Sequence, residues 1–201
     1  MQMHENCIQT FTGKMIDPFN PDPKAIDIRD IAHALSLTCR FNGHVNKFYS
    51  VAEHSVRVHD LLIAEINYLA GAVGCNLIHD RDIAVIKWGL IHDSAESVLS
   101  DICRPIKRRL LDYNKMEDSL LEVIIKTLSI DPLTESEHKI VKKADNILLA
   151  TEKRDLMKDT EHLWVDVTEE PQVMPIIPFP PEEAERLFLI RWYRYNNHAT
   201  I

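Results

Sequence analysis

The sequence predicts an all-α helical bundle. Apolar residues recur at helical spacing along most of the 201-residue chain, recognisable caps and breakers bound those stretches, and little alternates with the period of a strand. The first 26 residues are the exception: "FTGKMIDPFNPDPKAI" carries one Gly and three Pro, which predicts turns and short extended pieces, such as a small hairpin. "DIRDIAHALSLTCRFNG" then turns helical. Asp27 is placed to cap it, Asp30 lies in its first turn, and Ile28, Ile31, Ala32, Leu35 and Cys39 share a face before the Asn42-Gly43 stop. "SVAEHSVRVHDLLIAEINYLA" reads as a second helix capped by Ser50, and a Gly-containing break falls within residues 71–82.

"DIAVIKWGLIHDSAESVLS" is apolar nearly all round until His92, the signature of a central helix. A Pro-broken connection follows, carrying Arg104, Lys107, Arg108 and Arg109. Two further amphipathic helices, "YNKMEDSLLEVIIKTLSI" and "TESEHKIVKKADNILLATEKRDLM", are separated by Asp131-Pro132. "EEPQVMPIIPFPP" holds five prolines in thirteen residues and must be an extended strap. A last helix restarts at Pro181, with Glu182 and Glu183 in its first turn. The expected organisation is one domain over 1–201: a helical core at about 27–165, the strap at 170–181 and a C-terminal helix at 182–195.

Composition narrows the function. The 31 acidic and 23 basic side chains give a formal charge of −8, the wrong sign for a general binder of nucleic acid polymers or anionic membranes. A small anionic ligand is still compatible, because a local cluster or a bound ion outweighs the global sign. Cys7, Cys39, Cys75 and Cys103 form no CxxC pair, which speaks against a zinc ribbon or a disulfide framework. "MQMHENCIQTF" has no basic-then-apolar leader pattern, and no apolar run reaches the length of a membrane span. A reduced, cytoplasmic protein is the expectation.

Against this background "GLIHDSAESVL" is unusual, since it sets His92, Asp93 and Glu96 in an apolar stretch. Metal chemistry needs nitrogen and oxygen ligands converging from rigid elements. Three predicted helices offer them: His54, then His92-Asp93, then Asp145. Any one alone reads more simply as an interior hydrogen-bonded group, a helix-end pair or a cap. The ordered set, one contribution per helix, is what points to a metal. Glu96, four residues after His92 and three after Asp93, rises over the same face, where a carboxylate can hold or deprotonate a water. Imidazole with carboxylate suits Mn, Fe, Co, Ni or Zn. The other histidines, His4, His44, His59, His79, His138, His162 and His198 among them, have no evident partner set.

That ordered set resembles the HD-domain metal-dependent phosphohydrolases. "CRFNGHVNKFYSVAEHSVRV", "GLIHDSAESVLSDICRPIKRRL" and "KKADNILLATEKRDLM" are similar to blocks of the small nucleotide hydrolases of that superfamily, a branch with bacterial 5′-deoxynucleotidases and phage enzymes that release triphosphate from dATP. The resemblance spans roughly residues 10–195 and implies an HD-domain helical bundle. It implies His54, His92, Asp93 and Asp145 as metal ligands, with Mg a candidate at an additional site, and Glu96 and Asp101 as catalytic carboxylates. It also implies Arg40 on phosphate, Phe41 packed on the sugar where that branch commonly has Trp, and Lys107 and Lys142 as phosphate contacts. The reaction so implied is hydrolysis of purine deoxynucleotides at the 5′ phosphoester, with the dATP-type triphosphohydrolase ahead of a 5′-deoxynucleotidase acting on monophosphates. An alarmone hydrolase ranks third, because those sites carry Glu-Asp after the HD pair and here Ser97 follows Glu96; a non-catalytic nucleotide-binding metal module ranks last. The apolar "LFLIRWYRY" end and the strap suggest a homo-oligomer.

Overall fold

The computed structural model describes residues 6–72 and 78–195, and it is an all-α bundle. His4, Cys75 and His198, and residues 73–77 of the predicted break after the second helix, lie outside the described residues. The N-terminal segment forms a minimal antiparallel hairpin, β1 (Ile8–Gln9) with β2 (Met15–Ile16), followed by a 3₁₀ turn at Pro23–Ala25. The carboxylate of Asp30 holds the hairpin down, accepting from the Thr12 N–H at 2.6 Å and from the hydroxyls of Thr10 and Thr12.

Helix α1 (Ile28–Leu37) starts where Asp27 caps the Arg29 N–H, as predicted, but it ends before Cys39. Thr38 is extended, Cys39 pairs with Ser50 in an isolated bridge, and Arg40–Gly43 forms a 3₁₀ turn containing left-handed residues. Helix α2 (Val51–Ala72) begins with the Ser50 hydroxyl accepting from the Glu53 N–H at 3.0 Å. Its first two turns are almost wholly enclosed, including Glu53, His54 and Ser55. Helix α2 therefore shares the centre of the bundle with α3 (Asp80–Ile91), the helix predicted to occupy it.

The chain continues through α4 (Glu96–Leu99), α5 (Arg104–Lys107), α6 (Leu111–Thr127), α7 (Glu135–Leu156) and α8 (Pro181–Arg194). Thr134 and Glu137 make the capping box of α7. Two apolar clusters flank α2: one gathers α1, α6 and α8 around Leu35, Leu120, Phe188 and Trp192, and the other gathers α3 and α7 around Leu62, Ile86 and Leu148. The apolar end of α8 is thus spent largely inward, with Phe188 and Trp192 buried. The core helices end at Leu156, and residues 157–169 form a loop.

The strap is extended, so its backbone groups need partners from elsewhere. Side chains of α2 and α7 provide them: Glu53 accepts from the Phe179 N–H at 2.8 Å, Asp155 from Ile176 at 2.8 Å and Thr151 from Gln172 at 2.9 Å, while Arg57 donates to the Ile177 carbonyl at 2.9 Å. Cys39 and Cys103 are free thiols, and no helix among the described residues is long and apolar enough to cross a membrane.

Helices α2 and α3 pack closely at Gly89. A Cβ on Gly89 would fall 2.3 Å from Cδ1 of Leu62, a fully buried side chain, so only glycine permits this approach. Gly89→Val is expected to cost about 1–3 kcal/mol through overpacking. Urea denaturation checks this; wild-type stability would mean that the contact is not restrictive.

Candidate metal centre

The close approach of α2 to α3 brings His54 and His92 together from separate helices. Their Nε2 atoms are 3.3 Å apart, and Asp93 Oδ2 lies 3.3 Å from His92 Nε2 and 3.8 Å from His54 Nε2. One ligand atom from each of His54, His92 and Asp93 falls within a 4.8 Å cluster that can hold a metal ion. From α7, Asp145 Oδ1 comes to 3.2 Å from His54 Nε2 and borders the same space.

The local backbone explains how adjacent His92 and Asp93 both reach the cluster. The predicted continuous helix is broken: α3 ends at Ile91, and residues 92–95 turn tightly before α4. Hydrogen bonds from Ser94 to Ile91 (2.8 Å) and from Glu96 to Asp93 (3.0 Å) span three residues, as in a 3₁₀ turn. In that geometry residues three apart eclipse, which stacks Glu96 on Asp93.

Hydrogen bonding at the far side of each ring decides what the near side offers. His92 Nδ1 donates to the Gly89 carbonyl at 2.9 Å, and His54 Nδ1 faces Glu152 Oε1 at 2.6 Å. Both Nε2 atoms are thereby directed at the carboxylates of Asp93 and Asp145. Burial pushes the His92 imidazole down, toward its neutral form, so its Nε2 presents a lone pair. For His54, burial and the Arg40 charge oppose protonation, but Glu152 and Asp145 outweigh them and hold the ring up to about 9. Burial works against ionisation of Asp93 and Asp145, yet the two imidazoles outweigh it and keep both carboxylates below their ordinary range. A divalent ion suits this donor set: it can replace the His54 Nε2 proton and draw four anionic or lone-pair atoms to one point.

Above the cluster opens a pocket of about 880 Å³. His54 lies beneath it, fully buried, while the other nine predicted site residues line it: Arg40, Phe41, His92, Asp93, Glu96, Asp101, Lys107, Lys142 and Asp145. Burial, reinforced by Asp93 and Asp101, pushes the Glu96 carboxyl well above its usual range. Its Oε2 is enclosed without a hydrogen-bond partner, and Lys107 stands 3.5 Å from Oε1. Asp101 Oδ2 accepts from the Phe41 N–H at 3.2 Å.

The cations are already engaged. Arg40 reaches Asp93 and Glu152, each at 3.3 Å, and keeps a buried Nε without a partner. Lys107 also bonds Glu117, while Lys142 and Arg104 each donate to Asp145 Oδ2 at 2.7 Å. Glu152, Arg104 and Trp164 are contributors that the sequence reading did not select. Glu152 carried a usable signal, standing seven residues after Asp145 and hence on the same face of α7. Trp164 and Arg104 carried none, because Trp164 comes from an irregular loop and Arg104 opens the short helix α5 in a Pro-broken connection.

Glu152→Gln is expected to weaken metal affinity about 10- to 100-fold, the usual effect of losing the carboxylate behind a ligating imidazole. Titration of the purified variant with Mn or Co checks this, with circular dichroism to verify the fold; unchanged affinity would contradict it.

No family model matches the chain. It is 36% identical over 189 residues to the uncharacterized protein YfdR of Escherichia coli strain K12, covering 92% of this chain and 93% of that protein. An uncharacterized protein of Rhodobacter capsulatus is 33% identical over 119 residues, covering 56% of this chain and 53% of its own length. Similarity over nearly the full length of both proteins places the chain in the family of YfdR.

Proposed function

We propose that the protein is a metal-dependent phosphohydrolase of the HD-domain superfamily, cleaving purine deoxynucleotides at the 5′ phosphoester, with a dATP-type triphosphate as the leading substrate. The observation that carries the reading is the convergence of His54, His92, Asp93 and Asp145 beneath a cation-lined pocket, with buried Glu96 beside them. A volume of about 880 Å³ suits a ligand of nucleotide size.

In this reading His54, His92, Asp93 and Asp145 hold the ion. When bound, a divalent ion polarises a phosphoryl oxygen and makes water a nucleophile near neutral pH. Glu96 moves the proton: burial favours its protonated form, which gives a proton to the leaving 5′ oxygen and then takes one back from water. Lys107, beside Glu96, and Lys142, beside Asp145, neutralise phosphate charge and orient the group for in-line attack. Arg40 does the same from the wall, through whichever of its donors substrate draws from Asp93 and Glu152. Asp101 tethers the backbone of Phe41, the residue proposed to lie on the sugar.

A 5′-deoxynucleotidase acting on monophosphates is the second reading, favoured by one observation. Lys107, Lys142 and Arg104 each already bond a carboxylate, which leaves fewer free cations for a long phosphate tail.

A product-resolved assay with Mn, Co or Mg and a panel of deoxy- and ribonucleotides tests both. The lead reading expects deoxynucleoside and intact triphosphate from dATP or dGTP; the second expects orthophosphate from monophosphates only. Asp93→Ala should lose metal and turnover together. Glu96→Ala should keep metal and lose turnover by roughly 10²- to 10⁴-fold. Metal-loaded protein that cleaves no nucleotide overturns both readings.

A further inference from the structure

The pocket lining combines charged groups with two aromatic rings that the metal chemistry does not use. Metal-ligand candidates and cations form one part of its lining, and the rings of Phe41 and Trp164 stand beside them, with Arg40 5.4 Å over the Phe41 ring. Their centroids are 5.8 Å apart with planes tilted by 53°, so they form an aromatic corner rather than a closed stack.

The Phe41 ring is held there against the local preference of the chain. Phe41 and Asn42 adopt φ of 56° and 50°, followed by Gly43 at 78°. Left-handed backbone costs a side-chain-bearing residue roughly 1–2 kcal/mol. The Asp101 carboxylate on the Phe41 N–H and the Arg40–Tyr49 backbone bond of 2.9 Å secure the turn that presents the ring. Trp164 comes from the irregular loop at 157–169, outside both apolar clusters of the core. Its neighbours Leu163 and Val165 are 90% and 86% exposed, while the indole is half-buried on the pocket wall. An ion pair between Arg108 and Asp166, both on the pocket lining, ties the loop to the end of α5, and Lys153 lies 5.8 Å over the indole. The loop thus places its largest apolar group against the pocket, with Met157 and Val165 also on the lining.

We propose that Trp164 is a specificity-determining residue whose indole, set against Phe41, stacks on the planar base of the substrate, so that the site selects nucleotides over base-free sugar phosphates. The inference rests on the nucleotide reading above and adds to it where the base sits. A ligand satisfying both features needs an anionic group for the cations and a flat ring for the aromatic corner, and a nucleotide has both. Stacking tolerates any base, so Trp164 confers preference for a base without choosing among bases.

Calorimetric binding to Mn-loaded protein tests this, in a Glu96→Gln background that suppresses turnover. The two probes are 2′-deoxyadenosine 5′-monophosphate and 2-deoxyribose 5-phosphate. With Trp164 present, the nucleotide should bind about tenfold or more tightly than the sugar phosphate, the ~1.4 kcal/mol expected of one stacked base. Trp164→Ala should remove that margin and leave sugar phosphate affinity unchanged, whereas Trp164→Phe should recover most of it. Equal binding of the two probes with Trp164 present, or an equal loss for both on Trp164→Ala, overturns the inference while sparing the nucleotide reading. Failure of the metal-loaded protein to bind either probe overturns both.

Discussion

Charge buried at the centre of a helical bundle must be answered within the bundle, and here His54 is where that requirement concentrates. It is fully enclosed, with Glu152 at 2.6 Å on one ring nitrogen and Asp145 at 3.2 Å on the other. Arg40, itself buried, joins Glu152 to Asp93. Removing any member leaves an unpaired charge in a low-dielectric interior, a cost of several kcal/mol. Helices α2, α3 and α7 therefore have little freedom to separate or rotate. The absent side chain of Gly89 and the tight turn at 92–95 are how the backbone meets that requirement.

The same surroundings set neighbouring carboxyl groups to different tasks. Asp93 and Asp145 resist the effect of burial because imidazoles face them, so they stay ionised and suited to a cation. Glu96, a few ångströms of chain away, is dominated by burial and by the charges of Asp93 and Asp101, so it holds its proton more firmly. Side chains of one chemical class thus divide into ligand and proton carrier through environment alone.

Much of the bundle was legible because its signals are local. Asp27, Ser50, Thr134 and Pro181 start helices where capping chemistry says they should, and the prolines at 171–181 exclude helix from the strap. The premature end of α1 was not legible: "LTCRFNG" keeps helical periodicity, and only the pairing of Cys39 with distant Ser50 diverts it. The break after Ile91 was hidden likewise, since its dihedrals stay near helical and only the hydrogen-bond span tightens. In the site, His54, the His92-Asp93 pair and Asp145 were legible as an ordered pattern with one contribution from each of three predicted helices. The partners that orient it were less so, because Arg104 and Trp164 arrive through connections whose course no periodicity encodes.

Everything proposed for the pocket depends on the floor being a metal site. The most direct test is elemental analysis of the protein purified without chelators, alongside His92→Ala. The account predicts a stoichiometric divalent transition ion in the wild type that is lost from a folded His92→Ala variant. Wild-type protein that is metal-free and takes up no Mn, Co, Fe, Ni or Zn would contradict it, leaving His54, Asp93 and Asp145 as a buried ion-pair network alone.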